Sequence, residues 1–161
     1  MGTYTVETER LTLEPMTISV ATMITTLRSH AEFGSGFPTP GDVMIAERLL
    51  VEPAAETPPF AHYVVRERSS AKLIGGAGFH TPPSGRTVEL GYGIARGSQG
   101  FGYATEACRA LVEVAFDSGE VDQIVASTDP ENVPSHGVLR RLGFTPTNDP
   151  ATYWALSRPE V

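Results

Sequence analysis

Apolar residues recur at two different spacings between positions 88 and 116. Larger apolar side chains occupy every second position from Val88 to Ile94, which predicts a half-buried strand. From residue 104 they recur every three or four positions, which predicts an amphipathic helix. A turn over residues 96–102, with three glycines in seven residues, joins the two elements. The helical stripe consists of Ala104, Ala107, Cys108, Leu111, Val112, Ala115 and Phe116.

The same patterns predict the other elements of the chain. Three strand-like runs follow one another through short turns, which predicts an antiparallel meander. The strand–helix–strand order after it predicts a right-handed crossover between two parallel strands. We expect one α/β (α+β) domain over residues 1–161, with a mixed, mostly antiparallel sheet. The predicted strands cover residues 4–16, 60–68, 72–80, 86–94, 123–128, 144–148 and 151–157, and the other helices cover 18–28, 41–53 and 133–142.

Composition narrows the function classes. Twelve lysines and arginines against nineteen acidic residues give a net charge of −7, which argues against a nucleic-acid partner. The longest apolar runs are far shorter than a membrane span, and the N-terminus lacks a signal sequence. The single cysteine, Cys108, excludes an intrachain disulfide and a cysteine-rich metal site. We therefore expect a cytoplasmic protein, and the scattered histidines predict no metal site.

The Gly-rich turn before the long helix suggests an anion site. Unpaired backbone N–H groups and the positive end of the helix dipole suit a phosphate or pyrophosphate. No Lys-Ser/Thr pair follows the turn, so it is not a Walker loop, and the preceding meander excludes a Rossmann unit. A tight turn with no ligand is the alternative explanation for these glycines.

A second motif follows the crossover strand at the spacing N-x-x-S-x-x-x-L-x-x-L-G-F, beginning at Asn132 and including Ser135. Together with Gln99-x-x-Gly102-x-Ala104, it resembles the GNAT superfamily of acyl-CoA-dependent N-acyltransferases. The branch it resembles most is that of the ribosomal-protein N-terminal acetyltransferases (RimJ/RimL-like). Residues 8–13 are similar to the opening strand of that branch.

This resemblance implies a fold in which two parallel strands splay apart around a CoA cleft, with helices on both faces of the sheet. It implies acetyl transfer from acetyl-CoA to a primary amine, either a protein N-terminus or a small amine. A homodimer is compatible with it. The implied cofactor-binding residues are Tyr92, Gly93, Ile94, Gln99, Gly100, Phe101, Gly102, Tyr103, Ala104, Asn132 and Ser135.

Amine transfer benefits from a base, because aliphatic amines are mostly protonated near neutral pH. Glu89, on the strand that leads to the acyl group, is the first candidate and His80 the second. A solvated carboxylate and a surface histidine are the alternatives. Leu139 stands where many family members carry a tyrosine acid. Ser135 either bonds the cofactor sulfur or caps its helix, and Tyr153 is a remote alternative acid.

Two loop aromatics, Phe33 and Phe37, are candidate acceptor contacts, since the family often lines its acceptor pocket with this loop. Ordinary packing is the alternative. Phe101 and Glu14 depart from the branch pattern, which leaves room for another acyl-CoA donor. A non-catalytic CoA-binding protein of the same fold and an unrelated phosphate-binding domain also stay open.

Overall fold

The structure, a computed structural model, describes residues 4–53, 56–147 and 153–160. The strands are Val6–Glu7 (β1), Leu11–Pro15 (β2), His62–Glu67 (β3), Lys72–Phe79 (β4), Thr87–Ile94 (β5), Gln123–Ser127 (β6), Thr145–Pro146 (β7) and Tyr153–Ser157 (β8). They form one sheet in the order β1-β2-β3-β4-β5-β6-β8-β7. The helices are Ile18–Thr26 (α1), Pro40–Val51 (α2), Tyr103–Asp117 (α3) and Val133–Leu142 (α4).

One predicted element is wrong at the start of the chain. The single strand expected over residues 4–16 is an antiparallel pair, β1 and β2, in which Val6 faces Leu13. The backbone N–H of Leu11 donates to the Thr8 hydroxyl oxygen, and the Thr8 backbone N–H donates to the Leu11 carbonyl. These bonds close a turn over residues 8–11, in the middle of the segment for which the apolar pattern predicted one continuous strand. In the predicted closing hairpin, residues 148 and 151–152 lie outside the described part of the chain.

The predicted splay of the two parallel strands is confirmed. β5 pairs with β6 at three positions, of which Glu89 opposite Val125 is the last. Beyond Glu89, β5 continues to Ile94 paired with β4, while β6 pairs with β8 as far as Ser127. A gap therefore opens between β5 and β6 in the second half of β5.

Helices cover both faces of the sheet, as predicted. The stripe on α3 packs with Leu139 of α4 in the larger apolar cluster, and the buried side chains of α1 and α2 pack in the other. Helix ends follow local chemistry: Thr39 and Asp42 form a capping box on α2, and Gly143 ends α4 with φ of 94°. Among the described residues, no helix combines the length and the apolarity that crossing a bilayer requires.

Candidate active site

A wide cleft of about 1090 Å³ lies on the α3–α4 side of the splayed strands. Ten of the eleven residues that the resemblance assigned to the cofactor line it. The exception is Phe101, which is not among the lining residues, is 59% exposed, and has its ring 5.8 Å from that of Tyr103. The predicted residues that line the cleft are Tyr92, Gly93, Ile94, Gln99, Gly100, Gly102, Tyr103, Ala104, Asn132 and Ser135.

The Gly-rich turn presents backbone donors to this cleft. Gly100 and Gly102 both have positive φ, 86° and 81°, a conformation that is costly for residues with a Cβ. Gly102 is the N-cap of α3 and provides no side-chain cap, so the N–H groups of the first helical turn are left for another acceptor. The Gln99 side chain donates to the Ile94 carbonyl at 2.9 Å, which ties the turn to the end of β5.

A second network, which the sequence patterns did not reveal, connects the same turn to the residues between β1 and β2. Arg10 donates to a Glu106 carboxylate oxygen at 2.7 Å and to the Phe101 carbonyl at 2.8 Å. The Thr8 hydroxyl donates to the other Glu106 oxygen at 2.6 Å. For Glu106, burial acts to raise the pKa, but the bonds from Thr8 and Arg10 outweigh it and the pKa lies below its usual value. An ionised Glu106 therefore links the turn between β1 and β2 to the first turn of α3.

Arginines give the cleft a positive wall in a chain of net charge −7. Arg109 of α3 and Arg140 and Arg141 of α4 line it, and Arg109 donates to the Arg141 carbonyl at 3.3 Å. The sequence patterns did not single out these arginines. Arg140 and Arg141 stand in the last turn of α4, where the helix dipole alone favours basic residues. Their convergence depends on how α3 and α4 pack.

Ser135 contacts Tyr92 inside the cleft. The two hydroxyl oxygens lie 2.5 Å apart, and Asn132 accepts the N-cap bond from the Ser135 backbone. Capping is thus the role of the Asn132 side chain. Burial raises the pKa of Tyr92 to about 12, against the lowering effect of the Ser135 bond, so the phenol stays protonated at neutral pH. Leu139, where the family often has tyrosine, is fully buried.

A smaller cavity of about 240 Å³ lies on the opposite, α2 side of the sheet. Tyr92 and Gly93 line both spaces, so the cleft and the cavity share a wall at the splay. Four glycines on the adjacent strands β4 and β5 line the cavity: Gly76, Gly78, Gly91 and Gly93. A Cβ built on Gly93 would contact nothing within 4 Å, whereas a Cβ on any of the other three would come within 2.7 Å of a neighbouring atom. We call this space the acceptor cavity, after the role that is proposed for it below. It is lined by Met16, Thr39, Gly41, Asp42, Met44, Ile45, His62, Tyr63, Gly76, Ala77, Gly78, His80, Gly91, Tyr92, Gly93 and Ser127.

The two candidate bases lie side by side at the edge of the acceptor cavity. The His80 ring sits over Gly91, where a Cβ would come within 2.6 Å of Nε2, and this Nε2 lies 4.0 Å from a Glu89 oxygen. The same Glu89 oxygen accepts from the Ser127 hydroxyl at 3.2 Å. Burial lowers the pKa of His80, and the Glu89 charge opposes that effect only in part. His80 lines the cavity and Glu89 does not.

Phe33 and Phe37 lie elsewhere. Their rings meet edge-to-face at 5.1 Å, and they are 8% and 6% exposed within the apolar cluster beneath α1 and α2. Neither lines the cleft or the cavity. Their burial supports the packing alternative, since a side chain that fills the core cannot also contact an acceptor.

Tyr153 and Cys108 lie outside the cleft and the cavity. Cys108 is fully buried, and burial raises the pKa of its thiol, so it lacks the thiolate character that a nucleophile needs. Asp42 and His62, which line the acceptor cavity, had no functional signal in the sequence, because Asp42 fits a helix-capping box and His62 belongs to no motif.

Comparison with known proteins agrees with this arrangement. A family model described as "Acetyltransferase (GNAT) domain" matches residues 10–145, which confirms the resemblance drawn from the sequence. The uncharacterized N-acetyltransferase YnaD of Bacillus subtilis is 35% identical over 72 residues, 45% of this chain and 42% of the relative. The chain spans about half the length of the curated relatives it matches, between 42% and 58% for three of them.

Solved structures match over nearly the whole chain. An acetyltransferase from Agrobacterium tumefaciens is 26% identical with a TM-score of 0.68, covering 96% of this chain and 94% of that one. RimJ of Mycobacterium smegmatis, solved in complex with CoA-disulfide, has a TM-score of 0.70 at 20% identity, covering 98% of this chain and 90% of that one. At this identity the second likeness concerns the fold alone.

Proposed function

Because this chain belongs to the GNAT family of acetyltransferases, we propose that it transfers an acetyl group directly from acetyl-CoA to a primary amine, either a small amine or a protein N-terminus. The observation that carries the proposal is the meeting of two spaces from opposite faces of the sheet. The cleft with its phosphate-binding chemistry and the acceptor cavity share Tyr92 and Gly93 in the gap between β5 and β6. A donor and an acceptor entering from opposite sides would react there.

The cleft offers separate groups to each part of CoA. The N–H groups of the Gly-rich turn suit the pyrophosphate, since they converge at the positive end of α3. Arg109, Arg140 and Arg141 suit the remaining phosphate. The free edge of β5 beyond Glu89 offers backbone groups to the pantetheine arm. When bound, acetyl-CoA supplies the activated acetyl group and a thiol leaving group.

His80 and Glu89 form the base in this proposal. His80 lines the cavity and its lowered pKa keeps the imidazole neutral near pH 7, ready to take a proton from the incoming ammonium. Glu89, 4.0 Å from Nε2, stabilises the imidazolium that results. Activity should therefore rise with pH through a His80 pKa that lies below the usual value of about 6.5.

Tyr92 and Ser135 are placed to serve the departing thiolate. Both line the cleft, their hydroxyls share a hydrogen bond, and the phenol is protonated at neutral pH. The Tyr92 O–H can therefore donate toward sulfur while Ser135 holds it in place. This pair takes the role that the family tyrosine would fill at the position of Leu139.

Thiol release from acetyl-CoA tests the function directly. We expect the purified protein to bind CoA in a calorimetric titration and to release thiol faster when primary amines are added, with an acetylated amine seen by mass spectrometry. The contrary result is tight CoA binding while none of a set of small amines and short peptides stimulates thiol release from acetyl-CoA. That result would contradict the proposed enzymatic function and favour a non-catalytic CoA-binding protein.

A further inference from the structure

The acceptor cavity contains two buried hydrogen-bond acceptors that the transfer chemistry does not use. Asp42 of α2 is 3% exposed and His62 of β3 is 5% exposed, and both line the cavity. Asp42 and His62 are also two of the three buried polar residues of the described chain, the third being Thr105. Burying a carboxylate and an imidazole is unfavourable unless each is given partners. Their surroundings show which partners each has.

Only one of the two Asp42 carboxylate oxygens accepts hydrogen bonds in the helix cap. Oδ2 accepts from the Thr39 backbone N–H and from the Thr39 hydroxyl, both at 2.8 Å. Oδ1 accepts neither of these bonds and packs against Gly76 of β4, where a Cβ would lie only 2.7 Å from it. Burial raises the pKa of Asp42, and the Thr39 bonds oppose that effect only in part. A cation or strong donor beside Oδ1 would supply the missing compensation.

His62 presents its other ring nitrogen without a partner. Its Nδ1 lies 2.7 Å from a Glu56 oxygen, and its backbone N–H donates to the second oxygen at 2.9 Å. Burial acts to raise the pKa of Glu56, but the two bonds from His62 outweigh it, so Glu56 is ionised and accepts the Nδ1 proton. With Nδ1 bonded to Glu56, Nε2 is the ring nitrogen that is left for a group in the cavity. Among the described residues, Nε2 of His62 is the buried side-chain polar atom that lacks a hydrogen-bond partner.

The rest of the cavity wall limits the charge and the size of what can bind. No arginine or lysine is among its lining residues in the described chain; the nearby Arg48 guanidinium donates to the His80 carbonyl. The Asp42 carboxylate would repel a second carboxylate placed in the cavity. Met16, Met44 and Ile45 supply an apolar side that suits methylene groups. The volume of about 240 Å³ fits a short aliphatic chain. The strand with Gly76 is next to the strand with Gly93, so the Asp42 carboxylate stands roughly 5 Å across the sheet from the splay.

We propose that Asp42 and His62 form an acceptor-anchoring site, which selects small amines carrying a second hydrogen-bond donor, an ammonium or a hydroxyl, and disfavours amines carrying a carboxylate. This proposal rests on the proposed acetyl transfer. Oδ1 of Asp42 accepts from the second group, Nε2 of His62 accepts a further N–H or O–H, and the reacting nitrogen lies toward His80 and Gly93. The site thus fixes the far end of the acceptor while His80 takes its proton.

A matched panel of four-carbon acceptors tests this selection. The panel is 1,4-diaminobutane, 4-amino-1-butanol, butylamine and 4-aminobutanoate, each assayed by thiol release with saturating acetyl-CoA. We expect kcat/KM for the diamine to exceed that for butylamine by about tenfold, mainly through KM, since a charge-assisted hydrogen bond is the added interaction. The aminoalcohol should fall between them, and 4-aminobutanoate should be the poorest. Equal values for the diamine and butylamine, or faster acetylation of a tripeptide α-amine than of the diamine, would overturn the proposal.

The variant Asp42→Asn separates charge from capping. An asparagine oxygen still accepts from Thr39, so α2 keeps its cap, but the negative charge is gone. We expect KM for the diamine to rise about tenfold while CoA affinity is unchanged. His62→Gln should raise KM for the diamine less, and Asp117→Asn, at an exposed position outside both spaces, should leave it unchanged. A diamine preference that persists in Asp42→Asn would overturn the anchoring role.

Direct binding distinguishes failure of this site from failure of the proposed function. If no amine stimulates thiol release, the thermal unfolding of the CoA-bound protein is followed with 1,4-diaminobutane and with butylamine. A rise in Tm with the diamine alone, lost in Asp42→Asn, would support the site even without catalysis. Identical melting curves with both amines would overturn it.

Discussion

The cofactor cleft and the acceptor cavity lie back to back across the same gap in the sheet, yet they are built differently. The cleft is wide, about 1090 Å³, and its ligand-facing groups are backbone N–H groups and arginines at a helix turn. The cavity is about 240 Å³, with a floor of glycines and buried carboxylate and imidazole groups. Backbone donors bind any phosphate presented to them, whereas fixed buried side chains select by size and charge. The cleft should therefore tolerate substitution better than the cavity does.

The largest effect is expected where the two spaces meet, in Gly93→Val. A Cβ on Gly93 meets open space and valine suits a strand, so the fold should hold. The side chain would instead fill the space in which, under the proposed function, donor and acceptor react. We expect kcat/KM for thiol release to fall at least about 100-fold, since small displacements of reacting groups have effects of that size. Thermal unfolding, followed by circular dichroism, should change little.

Gly75→Ala is the matched control on the neighbouring strand. Its added carbon would collide with the carbonyl oxygen of Gly93, so β4 and β5 must move apart. We expect a loss of stability of about 1–3 kcal/mol, seen as a lower Tm. If Gly93→Val unfolds the protein as readily as Gly75→Ala, the passage is not the open space that the geometry indicates.

The second largest loss of activity is expected for Glu89→Gln, which removes the charge beside the proposed base, His80. We expect kcat to fall about 10- to 100-fold while CoA affinity is nearly unchanged, because the charge lies on the acceptor side of the sheet. The Glu89 charge raises the His80 pKa against burial, so removing it lowers that pKa further. The acid limb of the kcat/KM profile should therefore move to lower pH. A wild-type profile would remove Glu89 from the mechanism. Glu113→Gln, an exposed carboxylate on α3, is the control with the same change of charge.

The contrast between the two spaces also explains what the sequence could predict. The cleft is encoded locally, by the strand before the turn, the glycines at 100 and 102 and the N-cap Asn132, and ten of its predicted residues line it. The cavity is lined by residues from α2, β3, β4 and β5, which are far apart in the sequence. In the sequence alone, Asp42 has the pattern of an ordinary capping-box residue. Its proximity to His62 depends on strand register and on the packing of α2. Phe33 and Phe37 were misleading for a related reason, since loop aromatics give no sign of whether the core or a cavity receives them.

The smallest effect tests the local encoding of the cleft, with Gly102→Ala and Gly143→Ala as a pair. Both glycines have a left-handed φ, 81° and 94°, and each has room for a methyl group, 3.6 Å from Arg10 and 3.5 Å from Leu156. Each substitution should therefore lower the free energy of unfolding by about 1 kcal/mol. Only Gly102 precedes the helix turn that faces the cleft, so only Gly102→Ala should weaken CoA binding, by about fivefold if a similar free energy is lost from the turn. Calorimetric titration of CoA into both variants gives the two affinities. Equal weakening in both would show that CoA affinity follows overall stability, and the turn would then lose its special role in holding the pyrophosphate.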